Sequence, residues 1–98
     1  MDLCRRDIVG INLNPKKGDE VGKIRPCIII SDDESNTILD TIIVLPLSTK
    51  LLEEMLPYRY RIKKQGGLKN DSDVLINHIH TISKKRVTSK IATISIQE

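Results

Sequence analysis

The sequence predicts a mainly β domain folded as a small barrel or a strongly bent sheet, on three observations. The chain has no Phe and no Trp, and Tyr58 and Tyr60 are its only tyrosines, so the core must be built from Ile, Val and Leu. The β-branched residues among these favour half-buried pleated surface. Short apolar or alternating runs recur between clusters of Gly, Pro, Asn, Asp and Ser, the spacing of small barrels. At 98 residues the chain has room for one domain, residues 1–98, burying roughly 65% of the surface its unfolded form exposes.

The elements follow in order. Ile8–Leu13 is β-rich, with Val9, Ile11 and Leu13 on one face, and reads as a first strand. Asn14–Lys23, with one Pro, two Gly and mixed charges, is a long polar loop. Loops of this kind in compact domains are often functional. Arg25–Ser31 is apolar on both faces in its middle and suits a central strand entered at Pro26. Asp32–Asn36 reads as a solvated turn, and Thr41–Ser48 as a third strand ended or bent by Pro46. Lys50–Leu56 is a short helix or an irregular connection. Pro57–Lys63 alternates, placing Tyr58, Tyr60 and Ile62 on one face and Arg59, Arg61 and Lys63 on a basic outer face. Gln65-Gly66-Gly67 and Asn70-Asp71-Ser72 signal turns. Val74–Ile82 is a further strand, Ser83–Val87 a helical turn capped by Ser83, and Ile91–Ile96 a last strand. The total is five or six strands with one or two short helical turns.

Composition narrows the function classes. Sixteen Lys and Arg against 13 Asp and Glu give a net charge of +3, which leans towards a polyanionic partner without specifying one. Cys4 and Cys27 are the only cysteines, too few for a secreted disulfide scaffold. Met1–Arg6 is charged and lacks the apolar core of a leader, and Cys27–Ile30 is too short to span a bilayer. The expectation is a cytoplasmic protein that does not contact a membrane. Phosphate-binding glycine loops, dinucleotide fingerprints and zinc spacings are absent from the sequence. His78 and His80 fall on one face of the expected strand, but no third ligand accompanies them, so neither a metal nor another cofactor is expected.

The segment that stands out is Gly18-Asp19-Glu20-Val21-Gly22-Lys23-Ile24-Arg25-Pro26. A flexible loop carries carboxylates into a strand that begins with an arginine whose backbone is stiffened by the adjoining Pro. Arginine suits bidentate phosphate contact and keeps its charge at neutral pH. A surface Glu–Arg ion pair at a hairpin mouth accounts for the same residues.

Asp7-Ile8-Val9, Leu13-Asn14-Pro15, Gly18-Asp19-Glu20 and Arg25-Pro26 resemble the opening of the MazF/PemK toxins, the endoribonuclease family of type II toxin–antitoxin modules. Val44–Lys50 is similar to that family's V-x-P-I-T-S segment, and Asp71–Val87 to its DS-x-V-L-x-x-Q-I-R-T-I-D-K-x-R-L segment. The pieces occur in order over nearly the whole chain. The resemblance implies an SH3-like barrel of the PemK/CcdB kind, a homodimer, and metal-independent, sequence-specific cleavage of single-stranded RNA. It also implies inhibition by a cognate antitoxin lying over the RNA groove. By matched position, Arg25 takes the place of the catalytic arginine, Ser48 of the family's threonine, and Glu20 of the loop glutamate. Gly18, Asp19, Lys23, Thr49, Lys50, His78 and His80 are then the RNA-binding candidates. The residue types fit RNA cleavage by its own 2′-OH, which needs a proton acceptor, charge stabilisation of the phosphorane and a proton donor for the leaving oxygen. Glu20 can be the base, can orient Arg25, or can shape the loop.

The departures from the family pattern are specific. The usual Thr-Ser order is Ser48-Thr49, and Ser is less restricted at χ1 than Thr. His78 and His80 replace a Gln and an Arg, and imidazole can titrate near neutral pH. Asp19 and Val21 replace the usual Ser and Gln. The sequence stops at Glu98, where relatives continue into a C-terminal helix. Two alternatives therefore stand beside the nuclease: a CcdB-like protein that poisons gyrase by contact, and a catalytically weak RNA-binding remnant.

Overall fold

The computed structural model describes residues 2–12, 24–53 and 57–94. In these the chain forms β1 (Asp7–Asn12), β2 (Ile24–Ile29), α1 (Asp33–Ile38), β3 (Thr41–Ser48), β4 (Arg59–Ile62), β5 (Ser72–Leu75), β6 (His80–Ser83) and β7 (Val87–Thr93). Three-residue 3₁₀ turns at Ile76–His78 and Lys84–Arg86 flank β6. The mainly β expectation holds, with seven strands among the described residues in place of five or six. No helix among the described residues is long and apolar enough to cross a membrane.

All pairings are antiparallel, in the order β4-β5-β3-β2-β1-β7, with β6 also on β3. Among the described residues no ladder joins β4 to β7, so the sheet is bent rather than closed. Its two ends meet instead by packing. Gln65 and Leu68 exchange backbone hydrogen bonds around Gly66-Gly67, and this hairpin lies against Ile91 and Ala92 of β7. Gly66 has φ +55°, a conformation that glycine adopts without a Cβ penalty. A Cβ on Gly67 would overlap the carbonyl oxygen of Ile91.

β3 carries the architecture. Its even-numbered Ile42 and Val44 join Val9, Ile11, Cys27 and Ile29 in one aliphatic core. Its odd-numbered Leu45 and Leu47 face the other side, with Ile8, Ile62, Leu68, Val74 and Ile94. This is the period-2 alternation of a strand buried on both faces.

Several expected elements are corrected. Pro46 does not end β3. The strand continues through it, and Pro46 falls between the residues that pair with β6 (41–44) and those that pair with β5 (47–48). Val74–Ile82 is not one strand. Leu47 faces Val74 and Val44 faces His80, so three steps on β3 match six on the partner. The three extra residues are looped out as the 3₁₀ turn Ile76–His78, level with a proline that has no N–H to give. Asp32–Asn36 is not a solvated turn but opens α1. The Asp32 side chain caps the helix by accepting from the Ser35 N–H, and Asn36 is buried, donating to the Ser31 carbonyl. Lys50–Glu53 is an irregular connection, and the rest of that segment lies outside the described residues. The Ser83 cap forms as expected, accepting from the Lys85 N–H. The last strand begins earlier than expected, at Val87.

The faces of β4 are corrected in part: Ile62 is core as expected, but its neighbours are not as the alternation suggested. Tyr58 and Tyr60 are 58% and 43% exposed, whereas Arg59 and Arg61 turn onto the buried carboxylate of Asp73. A second buried carboxylate, Asp7, ties β1 to β7. It accepts from the Cys4 N–H and the Thr93 hydroxyl and pairs with the Lys90 ammonium at 3.1 Å.

The glycine contact gives a stability prediction. Gly67→Ala forces the hairpin off Ile91, and overpacking of this kind costs about 2 kcal/mol. The thermal midpoint followed by circular dichroism is expected to fall by about 10 °C; an unchanged midpoint would mean the hairpin does not bear on β7.

Candidate active site

At its C-terminal end β3 leaves the apolar core and becomes polar. Ser48, half-buried, directly faces Asp73 of β5, and Asp73 in turn faces Arg61 of β4. Directly opposed residues in an antiparallel ladder project to the same side, so Ser48, Asp73 and Arg61 form one cross-strand row. Arg25 lies on β2, opposite Ile11. It shares a face with Cys27, which is opposite Pro46. Alternation therefore puts Arg25 and Ser48 on the same side of the sheet, and the β2–β3 register carried two residues further sets them opposite each other. Arg25 is exposed, and among the described residues its guanidinium has no hydrogen-bond partner. Its backbone is steadied from within: its carbonyl accepts from the Cys27 thiol at 3.8 Å. Burial pushes that thiol's pKa up to about 12, with Arg25 opposing, so Cys27 acts as a small protonated core residue.

Asp73 is the polar centre of this region. It is 1% exposed. One carboxylate oxygen accepts from the Leu52 N–H at 3.0 Å and from Arg59 Nη1 at 3.3 Å; the other accepts from Arg61 Nε at 3.0 Å. The same two arginines reach the loop after Ser48. Arg59 Nη1 donates to the Lys50 carbonyl at 3.0 Å, Arg61 Nη2 donates to the Leu52 carbonyl at 3.2 Å, and Arg61 Nη1 pairs with Glu53 at 2.7 Å. Burial would raise the Asp73 pKa, but the Leu52 amide and the two arginines outweigh it and hold the carboxyl below its ordinary value. Asp7 behaves alike: burial raises its pKa, and the bonds from Cys4, Thr93 and Lys90 bring it down.

The Ser48 oxygen accepts from the Lys50 N–H at 3.1 Å, which leaves its own O–H without an acceptor among the described residues. Thr49 and Lys50 are exposed beside it. Thr49 also lines a cleft of about 340 Å³ with Lys64, Lys69, Asn70 and Asp71. The two histidines are exposed but do not share a strand face. His78 lies in the looped-out turn and His80 opens β6, opposite Val44. His80 is thus on the Ser48 side of the sheet, four residues along β3, or roughly 13 Å away. Gly18, Asp19, Glu20 and Lys23 lie outside the described residues. Among the described residues no three His, Cys, Asp or Glu side chains converge as metal ligands.

Sequence analysis did not single out Asp73, and it read Arg59 and Arg61 as a basic outer face rather than as partners of a buried carboxylate. Their signal was present: an Arg-x-Arg alternation on one segment and a carboxylate in another. Only the β4–β5 register turns them towards each other.

A family model described as the PemK-like, MazF-like toxins of type II toxin–antitoxin systems matches residues 4–98. The fold is similar to that of the Mycobacterium tuberculosis toxin MazF-mt6, with a TM-score of 0.77 and 21% identity over 94% of this chain and 83% of that one. MazF in the MazE–MazF structure (Form-II) from Deinococcus radiodurans gives 0.79 and 18%, covering 99% and 85%. An endoribonuclease solved with its cognate antitoxin from Mycobacterial species gives 0.73 and 14%, covering 98% and 80%.

Beside the exposed cap Asp32, which Ser35 holds low, the two buried carboxyls Asp7 and Asp73 are depressed and set the acid limit of the fold. Both titrate lower folded than in the unfolded chain, where an aspartate titrates near about 3.9. Their stabilisation is complete above that value and is lost as pH falls through the lower folded values. The urea midpoint should stay level from pH 7 to 5 and drop below about pH 4. Asp73→Asn leaves Arg59 without its anion and Arg61 with only the exposed Glu53, and should lose about 2 kcal/mol at pH 7, discounted for the arginines' partial exposure. Its acid drop should be shallower than that of the parent, and an equally steep drop would clear Asp73 of the effect.

Proposed function

The chain belongs to the PemK-like, MazF-like toxins of type II toxin–antitoxin systems, and on that premise we propose that it cuts single-stranded RNA at preferred sequences without a metal ion. It is the toxin of such a module, and endoribonuclease activity is the function of the family. The observation that carries the finer proposal is the shared face: an exposed Arg25 and a Ser48 hydroxyl proton, neither of which has a hydrogen-bond partner among the described residues.

The chemistry follows from those two groups. The 2′-OH of the substrate loses its proton, its oxygen attacks the neighbouring phosphorus, and the P–O5′ bond breaks as the leaving oxygen gains a proton. The products are a 2′,3′-cyclic phosphate and a 5′-OH. Arg25 neutralises charge on the phosphorane, where a fixed cation is most effective. Ser48 donates to a non-bridging phosphate oxygen. Glu20 is assigned to the loop as base or as partner of Arg25. Gly18, Asp19, Lys23, Thr49, Lys50, His78 and His80 are assigned to RNA binding. Lys64 and Lys69 offer further ammonium groups at the cleft beside Thr49.

Two protein partners complete the proposal. One is a cognate antitoxin, which suppresses cleavage by covering the same face. The other is a second copy of this chain. Ile28, Ile30, Leu45, Tyr60, Ile62, Val74, Ile76 and Ile94 line an apolar groove of about 210 Å³. A domain this small gains buried surface by pairing across such a groove.

The purified protein with long single-stranded RNA and excess EDTA should yield fragments ending in cyclic phosphate. Arg25→Ala should lower kcat on the order of 10³-fold and Ser48→Ala on the order of 10²-fold, the range for removing one donor from a transition state. RNA left intact across varied sequences would refute the nuclease. Sedimentation equilibrium should return about twice the 11.1 kDa chain mass, and a monomer at micromolar concentration would remove the dimer.

A further inference from the structure

We propose that Asp73 is a positioning residue that aims the Ser48 hydroxyl at the substrate phosphate through the loop that follows β3. The inference rests on the proposed role of Ser48 and deepens it.

Serine has three staggered χ1 wells, whereas the methyl of a threonine removes part of that freedom. A catalytic serine in place of a threonine therefore needs an outside restraint. In this chain the restraint is the Lys50 N–H, which donates to Ser48 Oγ at 3.1 Å. That bond occupies a lone pair and leaves the hydroxyl proton to point elsewhere.

The Lys50 amide can hold Ser48 only if Lys50 itself is held. Residues 50–53 have no ladder of their own, yet they are bonded at the Lys50 carbonyl, the Leu52 carbonyl, the Leu52 N–H and the Glu53 carboxylate. The first two are taken by Arg59 and Arg61, the third by Asp73 directly, and the fourth by Arg61. Both arginines are in turn fixed on the Asp73 carboxylate. The route from Asp73 to Ser48 is therefore continuous: carboxylate, guanidinium groups, loop backbone, Lys50 amide, hydroxyl. Asp73 also stands opposite Ser48 in the ladder, so anchor and target share one rigid row.

The number of hydrogen bonds suits positioning. A carboxylate offers about four lone-pair sites, and three are filled here by the loop and the arginines. Asparagine at this place keeps the shape but presents an NH₂ group towards donors, so the loop loses its anchor while the core beneath it stays packed.

A double-mutant cycle on RNA cleavage separates aiming from mere support. Asp73→Asn, Ser48→Thr and the pair are compared under saturating and limiting RNA, with folding checked by circular dichroism. In the Ser48 background, Asp73→Asn should lower kcat about tenfold with KM within about twofold, the scale of a small misplacement of a reacting group. In the Ser48→Thr background the same change should cost no more than about twofold, because the threonine methyl replaces the lost restraint. Equal losses in the two backgrounds would overturn the positioning role. If Asp73→Asn does not fold, Arg59→Met, which frees only the Lys50 carbonyl side of the loop, takes its place in the cycle, and equal losses there overturn the role in the same way. Parent protein that leaves RNA intact would sink the nuclease proposal and this one with it; a cutting parent with additive losses sinks this one alone.

Discussion

One strand serves as the scaffold here, because β3 is used on both faces and both edges. Its two faces supply both aliphatic cores, and its edges pair with β2 on one side and with β5 and β6 on the other. A chain without Phe or Trp has only small apolar side chains to bury, each worth roughly 1.5–3 kcal/mol when fully covered. Burying residues on both faces of a central strand gains twice as many such side chains per backbone hydrogen bond. The cost of that arrangement is that β3 has no free edge or face except at its ends. The C-terminal end, where Leu47 is still core and Ser48 is already polar, is where chemistry can be reached.

The core was legible in the sequence because it depends on local pattern. The face pattern of β1 and the apolar runs of β2 and β3 are statements about single segments, and each became a strand at nearly the expected bounds. What was not legible depends on pairing between segments. Tyr58 and Tyr60 alternate with Arg59 and Arg61, and alternation alone does not say which set faces in. The aromatic set looked like core because tyrosine is the more apolar residue. Only Ile62 of that face is core; on the other face Arg61 stands against Asp73, and a buried carboxylate must be paired. The split of Val74–Ile82 has the same origin. Nothing within that segment marks the turn at Ile76–His78, whose place is set by Pro46 on the neighbouring strand.

The site divides in the same way. Arg25 and Ser48 are visible in the sequence as an arginine entering a strand and a hydroxyl ending one, and family resemblance joins them. The shared face follows from the β2–β3 register. Asp73 is invisible as a site residue, since one carboxylate among 13 acidic side chains has no local distinction. Its importance lies in its partners, two arginines more than ten residues away in sequence and a loop amide from another element. His78 and His80 show the opposite error. Period 2 put them together, and the three looped-out residues separated them.

The missing rings bear on recognition as well as on packing. The described core contains no ring, and every aromatic side chain in the protein is exposed: Tyr58, Tyr60, His78 and His80. They are not distributed evenly. Tyr60 pairs with Val74, on the face opposite Asp73 and Ser48, and it lines the apolar groove with Ile62 and Ile76. His80 lies opposite Val44, on the side of Arg25 and Ser48. The sheet thus separates its rings by face: tyrosine with aliphatic neighbours on one side, imidazole with a cation and a hydroxyl on the other. Tyrosine at the rim of an aliphatic groove favours contact with protein, where its ring is covered and its hydroxyl stays wet. Between Ser48 and His80 that side of β3 is occupied by the buried Val44, so a substrate is met at the polar end of the strand, by charge and hydrogen-bond donors. On the proposed function, affinity at that end comes mainly from the phosphates, and base preference is left to the loop backbone rather than to stacking on an aromatic platform.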